Sequence, residues 1–390
     1  MILNIPLAWL QLAKQKVRFV VALAGIAFVS VLMFLQIGFQ DALYASATQL
    51  HKTLDGQLFL ISIQYQSLTS NQSFPRQRLY QILGFEDVES VSPLYVQFAK
   101  LKNPQTGFKY PIYVLGFDPV KSILNLPNVQ ENIHLLQLPD HVLFDRASRP
   151  EFGPIAEKFT QGKTVKAEIF SYVGLVGYKV QIGNLFSLGP SFGVDGNLIV
   201  STSSFLRIFQ ERSVQNIDIG LIKLKPGADH QKVLADLAAK LPKDVRIIAR
   251  EDFIKLEKDY WTLRTPIGFV FNFMVIMGFV VGVIVVYQIL YSNISNHLAE
   301  YATLKAMGFK NKYLLSIVFQ QAIILASLGY VPGFTISLGL YDIAKNATKL
   351  PVMMNLERAI FVFVLAMIMC LFSGFLSTNK LRNVDPADIF

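Results

Sequence analysis

The chain has 390 residues, 52% of them hydrophobic and only 16% charged, with a formal net charge of +9 at pH 7. So apolar a composition excludes an ordinary soluble protein and points to membrane embedding. The surplus bases are scattered among acids, with no arginine-rich helix or aromatic-basic strip, which argues against nucleic-acid binding.

Crossing a bilayer takes about 20 apolar residues, and four charge-free runs reach that length: 19–40, 266–291, 313–341 and 359–379. Residues 1–18 read as an amphipathic N-terminus, and Lys14, Lys16 and Arg18 put it on the cytoplasmic side. The first run is longer than the core of a signal peptide, so it reads as an uncleaved anchor, and Ala45-Ser46-Ala47 after it as small residues on a helix. Orientation then alternates. The loop 292–312 and the tail 380–390 fall inside, 41–265 and the short loop 342–358 fall outside, and both termini are cytoplasmic. The expected fold is an α-helical membrane protein with four transmembrane helices and a large α+β extracytoplasmic domain inserted between the first and second spans.

Two stems frame that domain, at 41–56 and 251–265. Leu43, Ala47, Leu50 and Leu54 recur at helical spacing up to Gly56, and Phe253, Leu256, Tyr260 and Leu263 recur likewise before the second span. A helix from Val17 to Asp55 would be about 58 Å long, nearly twice the hydrocarbon thickness. The two seams are expected to face each other as a paired stalk, the alternative being that each packs on the nearest domain surface. Pro266 is expected to disturb the second stem where it meets the membrane.

Between the stems, "GQLFLIS", a helix from near Pro75 and "ESVSPLYVQFAKL" give strand, helix, strand. The order repeats with Ile217, Ile219 and Leu221, a helix from Asp229, and "DVRIIAR". A split α+β unit is therefore expected, its halves flanking a β-rich subdomain at about 122–209.

In the later spans, Gly278 and Gly282 form a G-x-x-x-G pair that would let two helices approach closely. "GYVPG", Gly329 to Gly333, is expected to bend the third span. The only cysteine, Cys370, lies in the fourth span, so neither an internal disulfide nor a cysteine metal cluster is expected. Gln36, Asn272, Gln288, Gln320 and Gln321 are the main polar side chains of the spans, and the lack of charge there argues against a polar channel.

Catalytic chemistry finds no foothold. No phosphate-binding loop occurs, and the five histidines show no H-E-x-x-H spacing. Asp140, His141 and Asp145 have no nucleophile motif around them and read as ordinary surface residues. No enzyme activity, metal or cofactor is expected in this chain.

Glu300 to Phe309, "EYATLKAMGF", interrupts the apolar runs. Leu298, Tyr301 and Leu304, with Ala302 and Lys305, form a short helix that Met307, Gly308 and Phe309 close. Gly308 suits the left-handed residue that ends a helix.

This stretch resembles the cytoplasmic segment, written around R-E-I-G-x-L-[RK]-A-[LM]-G, of the FtsX/MacB/LolC-type family of ABC transporter permeases. The N-terminal "LAWLQLAKQKVRFVVALAGIAF" and the tail "NKLRNVDPADIF" are similar to that family's entry helix and basic ending. One long span, a large external domain and three further spans repeat its architecture. The arginine that often opens the motif is missing, with Asn296 and His297 nearby instead. Within the family, "HVLFDRASRPEFGP", His141 to Pro154, is most similar to the DevC-type permeases of cyanobacterial glycolipid exporters.

The resemblance implies a permease driven by a separate ABC ATPase, which binds the ATP and Mg and docks on Leu298, Glu300, Tyr301, Leu304, Lys305, Met307, Gly308 and Phe309. It implies a homodimer in a bacterial, and in the DevC-like case cyanobacterial, inner membrane, in contact with membrane lipids. Motion of the stalks would expel a glycolipid or other amphiphile by mechanotransmission, into a periplasmic adaptor and a TolC-like outer-membrane channel. The alternative within the family is an FtsX-like signalling subunit that regulates a periplasmic partner and transports nothing.

Overall fold

The computed structural model describes residues 7–120, 122–174 and 176–378. Residues 1–6 of the N-terminus and 379–390, which hold the last residue of the fourth apolar run and the tail, lie outside the described residues. The chain divides into two compact units: Met1–Asp41, Pro266–Asn346 and Val352–Phe390 in one, Ala42–Thr265 with Ala347–Pro351 in the other.

It opens with helices α1 (Leu7–Lys14) and α2 (Lys16–Thr53). Then come β1 (Leu58–Ser62), β2 (Phe74–Pro75), α3 (Arg76–Gln81), β3 (Val88–Lys102), β4 (Lys109–Phe117), α4 (Pro127–Asn132), β5 (His141–Asp145), α5 (Ile155–Thr160), β6 (Lys166–Ser171), β7 (Tyr178–Phe186) and β8 (Asn197–Ser201). The second unit closes with α6 (Thr202–Ile208), β9 (Asn216–Ile217), β10 (Ile219–Leu224), α7 (His230–Lys240), β11 (Val245–Ala249) and α8 (Arg250–Asp259). Four helices complete the first unit: α9 (Pro266–Asn296), α10 (Leu298–Ala306), α11 (Asn311–Thr348) and α12 (Leu356–Ser377).

In the first unit α2, α9, α11 and α12 are each long and apolar enough to cross a membrane. Small residues set their spacing. A methyl group added at Gly329 would lie 2.7 Å from Ile26, and one at Gly333 would lie 2.8 Å from Ser30, so α11 rests backbone-close on α2. No break marks Pro332: α11 runs unbroken through it and continues past Tyr341 to Thr348, into the stretch expected to be loop. Both glycines of the G-x-x-x-G pair face neighbours in the same chain. Gly282 abuts Met369 of α12 and Val29 of α2, and Gly278 abuts Gln36 of α2.

Where the first charge-free run stops, at Asp41 within α2, Arg358 clamps the bundle. Its guanidinium donates to Asp41 Oδ2 at 2.7 Å and 3.1 Å and to the Met353 carbonyl at 2.6 Å. The Tyr341 hydroxyl beside it donates to the Phe34 carbonyl. A cation so buried survives only because both its charge and its donors are matched. The pair sits just outside the first and fourth charge-free runs, Asp41 within α2 and Arg358 in the first turn of α12, which keeps those runs free of charge.

The second unit is built on β-sheet. Strands β11, β1, β10 and β3, in that order and all antiparallel, form an open four-stranded sheet drawn from both flanks of the domain. Strand β1 is buried on both faces, because its alternating side chains enter two different cores. Leu58 and Leu60 pack with Leu79 of α3 and Val233 and Leu237 of α7. Phe59 and Ile61 pack with Leu50 and Leu54 of α2 and Phe253 of α8. Asp229 caps α7 by accepting from the Gln231 and Lys232 amides.

The β-rich part begins earlier than the expected residue 122. Strand β3 is 15 residues long, far beyond the usual strand length of about 5–6. Its first half belongs to the open sheet and pairs β10, while Tyr95 to Lys102 pair β4. Pairings β4–β8, β8–β5, β5–β7, β7–β6 and β6–β3 then return to the starting strand. Six strands thus close into a barrel that leaves no free edge along this ring. The subdomain is a barrel that borrows β3 and β4 from the flanking unit.

The second stem also departs from its sequence pattern. Helix α8 passes into a π-helical turn, Tyr260–Arg264, before extended Thr265 ends it at Pro266. The inward face is already set within regular α8, one position on from Leu256, before the wider turn begins. Phe253, Glu257 and Trp261 are the buried face, Leu256 and Tyr260 lie at its margin, and Leu263 is 77% exposed. In the first stem Leu43, Ala47, Leu50 and Leu54 are all buried.

Candidate functional site

Helix α10 is the compact amphipathic piece that the sequence singles out. Its end is fixed by a Schellman motif: the Gly308 amide donates to the Lys305 carbonyl at 3.0 Å and the Phe309 amide to the Leu304 carbonyl at 3.1 Å. Gly308 adopts φ +88°, which a residue with a Cβ would resist. The Phe309 ring then stacks on Tyr313 at 4.8 Å, setting the chain's entry into α11.

One face of α10 is committed inward. Tyr301 and Ala302 are buried, and half-buried Leu298 and Leu304 pack with Ala8 of α1, Ile294 of α9, and Leu314, Ile317 and Val318 of α11. Above this apolar patch lies a polar network centred on Gln11 of α1. Gln11 donates to Glu300 Oε2 at 2.9 Å and accepts from the Tyr301 hydroxyl at 3.2 Å and from Gln321 Nε2 at 2.8 Å. Gln321 in turn accepts from Asn293 Nδ2 at 3.0 Å. His297 Nδ1 lies 3.1 Å from Glu300 Oε2, and Lys14 Nζ lies 3.9 Å from its other oxygen.

Glu300 therefore faces α1. Burial pushes its carboxyl up, but the hydrogen bonds from Gln11 and His297 and the Lys14 charge outweigh that and hold it below the ordinary range. Burial raises the Tyr301 phenol, so it serves as a neutral donor.

The eight residues expected to dock a partner divide by this geometry. Tyr301 is buried, while Leu298, Glu300, Leu304 and Lys305 are half-buried. Met307, 64% exposed, Phe309, 40% exposed, and Gly308 are open to solvent, joined by Thr303 and Ala306 on the same helix. Sequence reasoning missed Gln11 and Asn293 as parts of this site, and named His297 only as standing near the missing motif arginine. It noted Gln321 only as a polar residue of a span. A glutamine facing the apolar side of a short amphipathic helix was the available signal.

A second polar cluster lies in the stems. Glu257 accepts from the Leu68 amide at 2.8 Å, Trp261 Nε1 at 3.0 Å and the Tyr65 hydroxyl at 3.5 Å, with His51 Nε2 also 3.5 Å away. Phe253 packs between, its ring 4.4 Å from His51 and 5.1 Å from Phe59. The two stems thus meet at one layer, around His51, Phe253 and Glu257, and also pack on the sheet.

Asp145 needs a correction, since the sequence reading placed it on the surface. It is fully buried, accepting from the Ala147, Leu188 and Gly189 amides and from Asn197 Nδ2 at 2.8–3.0 Å, and it pins two loops to the barrel. Asp140 instead binds Tyr178 and Arg207. Among the described residues no group of three or more His, Cys, Asp or Glu could hold a metal ion.

The chain is similar to the putative hemin transport system permease protein HrtB of Staphylococcus haemolyticus, with 28% identity over 117 residues. That match takes in 30% of this chain and about a third, 33%, of the relative's length. In fold it is similar to the periplasmic region of MacB from Actinobacillus actinomycetemcomitans, at 12% identity and a TM-score of 0.34, covering 52% of this chain and 92% of that one. It is likewise similar to the extracellular domain of the noncanonic ABC-type transporter YknZ from Gram-positive bacteria, at 13% identity and a TM-score of 0.32, covering 50% and 98%. Residues 272–386, from within α9 past the end of α12 and including all of α10, match the family model described as FtsX-like permease C-terminal.

Proposed function

We propose that this chain is the membrane subunit of an FtsX-like ABC permease, driven by an ATPase on a separate polypeptide. The observation that carries the reading is α10, which lies in the matched region with one face anchored on α1 and α11 and the other open at Thr303, Ala306, Met307 and Phe309. A helix held that firmly on one side can take force from a docked partner and pass it to α9, α11 and α1. In this reading α10 and both termini are cytoplasmic, the second unit is periplasmic, and two copies pair in a bacterial inner membrane. ATP and Mg bind the partner, and this chain needs no cofactor.

The cargo in this reading is a glycolipid or other amphiphile, released on the periplasmic side to an adaptor and a TolC-like outer-membrane channel. The DevC-like segment from His141 to Pro154 supports that choice of branch. Movement travels through the stems, whose meeting layer at His51, Phe253 and Glu257 couples them.

Purification from native membranes tests the reading. The wild-type chain brings down an ABC ATPase, and Met307→Asp, at an exposed position, weakens that association about tenfold or more without altering membrane insertion. Undiminished ATPase association in Met307→Asp would reject α10 as the docking element. Unchanged export of lipid in a deletion strain that shows altered cell-wall cleavage would turn the reading to signalling.

A further inference from the structure

Helix α9 is the least enclosed of the four apolar helices: 17% of its most apolar window is buried, against 44% for α11. Near α10 it also stands away from α2, and between them opens a cavity of about 400 Å³. That volume lies within the range of about 300–1,000 Å³ usual for small-molecule sites.

The cavity changes character along its length. Gln15, Arg18, Gln288 and Ser292 line the end nearer α1, and the Arg18 guanidinium donates to Gln15 Oε1 at 2.8 Å. Among the described residues no acid lines it. Further along, Ala22, Val285 and Ile289 make the wall apolar. It closes at Gly25, where an added methyl would lie 3.3 Å from Val285 and 3.4 Å from Ile289. Val21, which also lines the space, is 62% exposed and leaves that side open to the surroundings of the bundle.

A cation and neutral hydrogen-bonding groups at one end, with apolar walls at the other, match an anionic amphiphile. We propose that the cavity holds one anionic phospholipid from the adjoining leaflet, its phosphate on Arg18 and the neighbouring amides and an acyl chain along Ala22, Val285 and Ile289. Gln11 and Asn293 line the same cavity and belong to the Glu300 network. The lipid therefore touches two of the side chains that hold α10.

The test uses the full chain in nanodiscs with equal amounts of phosphatidylglycerol and phosphatidylcholine, followed by gentle extraction and native mass spectrometry of retained lipid. One arginine near an anionic headgroup is expected to enrich phosphatidylglycerol about fivefold. Arg18→Gln brings the ratio to that of the bulk, and Gln288→Glu, at an exposed position, lowers it by repulsion. Lys16→Gln removes the same charge from an exposed position outside the cavity and leaves the enrichment intact. Equal losses in Lys16→Gln and Arg18→Gln, or wild-type enrichment in both cavity variants, would overturn the proposal. So would displacement of the lipid by inorganic phosphate, which would make this a simple anion site, or a lipid-free dimer cross-linked through position 288, which would put a second copy there.

Discussion

Glu300, in the corner between α1 and α10, and Glu257, in the second stem, each lie near a histidine and each receive hydrogen bonds from neighbouring elements, yet their acidities move in opposite directions. Glu300 keeps 43% of its side-chain surface, and the hydrogen bonds from Gln11 and His297, with a smaller contribution from Lys14 3.9 Å away, favour its carboxylate form. Glu257 keeps 2% and among the described residues has no lysine or arginine partner, and burial raises it to about 7 despite the donors Trp261, Leu68 and Tyr65. Burial likewise lowers His51 to about 3. The corner is an anionic anchor held by donors, whereas the stem layer is a neutral one held by packing. Water access, rather than the number of hydrogen bonds, separates the two: burial outweighs three donors at Glu257 and is outweighed by two at Glu300.

The largest expected effect is on the corner. Gln11→Leu keeps volume but strips partners from the Tyr301 hydroxyl, Gln321 Nε2 and Glu300. The two buried groups left unpaired, the Tyr301 hydroxyl and Gln321 Nε2, cost about 1–3 kcal/mol each, so about 2–6 kcal/mol is expected in all. Thermal unfolding of the detergent-solubilised chain checks this. A shift no larger than that of an exposed substitution would mean that the network contributes nothing to holding α1 on α10.

The stem layer answers to pH. Glu257 has a raised folded-state value, so its contribution is complete below about 4.5 and is lost as pH rises through about 7. His51 has a lowered one, so its contribution is complete above about 6.5 and is lost as pH falls through about 3. Between about 4.5 and 6.5 the folded and unfolded layers bind the same number of protons, and stability from this pair is flat. Glu257→Gln keeps the layer neutral and should remove the alkaline loss, a gain of about 1–3 kcal/mol near pH 8. Trp261, which donates to Glu257, reports the change by fluorescence once Trp9, the only other tryptophan, is replaced by Phe. An alkaline decline that persists in the Gln variant would assign it to other groups.

Much of the fold could be read in the residues, and the losses follow a rule. The apolar helices follow from run length, and β1, β3, β10, β11, α3 and α7 follow from local period and capping, because each signal lies within one element. Gly308 was legible for the same reason: its conformation is set by the turn it closes. What the residues hid depends on contacts far apart in sequence. Gln11 meets Gln321 across 310 positions, and no spacing announces a partner that distant. The barrel closure through β3 and β6 is hidden likewise, since a strand's pattern does not say that its two halves pair in different sheets. The stem register failed for the same reason: within regular α8 it is Glu257, not Leu256, that turns inward beside Phe253, and two of its partners, Tyr65 and Leu68, lie far away in sequence.

The smallest expected effect bears on that register. Sequence spacing puts Leu263 in the apolar seam, where an aspartate would bury a charge and be strongly destabilising. In the structure Leu263 is instead 77% exposed and Trp261 is seated in the layer, with its ring 5.4 Å from Phe192. Leu263→Asp should then change stability by no more than about 0.5 kcal/mol, as surface substitutions do. Thermal unfolding of that variant beside wild type decides between the two registers. A loss of several kcal/mol would return Leu263 to the seam and remove Glu257 and Trp261 from the buried face. An unchanged melt with unchanged Trp261 fluorescence would fix Phe253, Glu257 and Trp261 as the inward face of the stem.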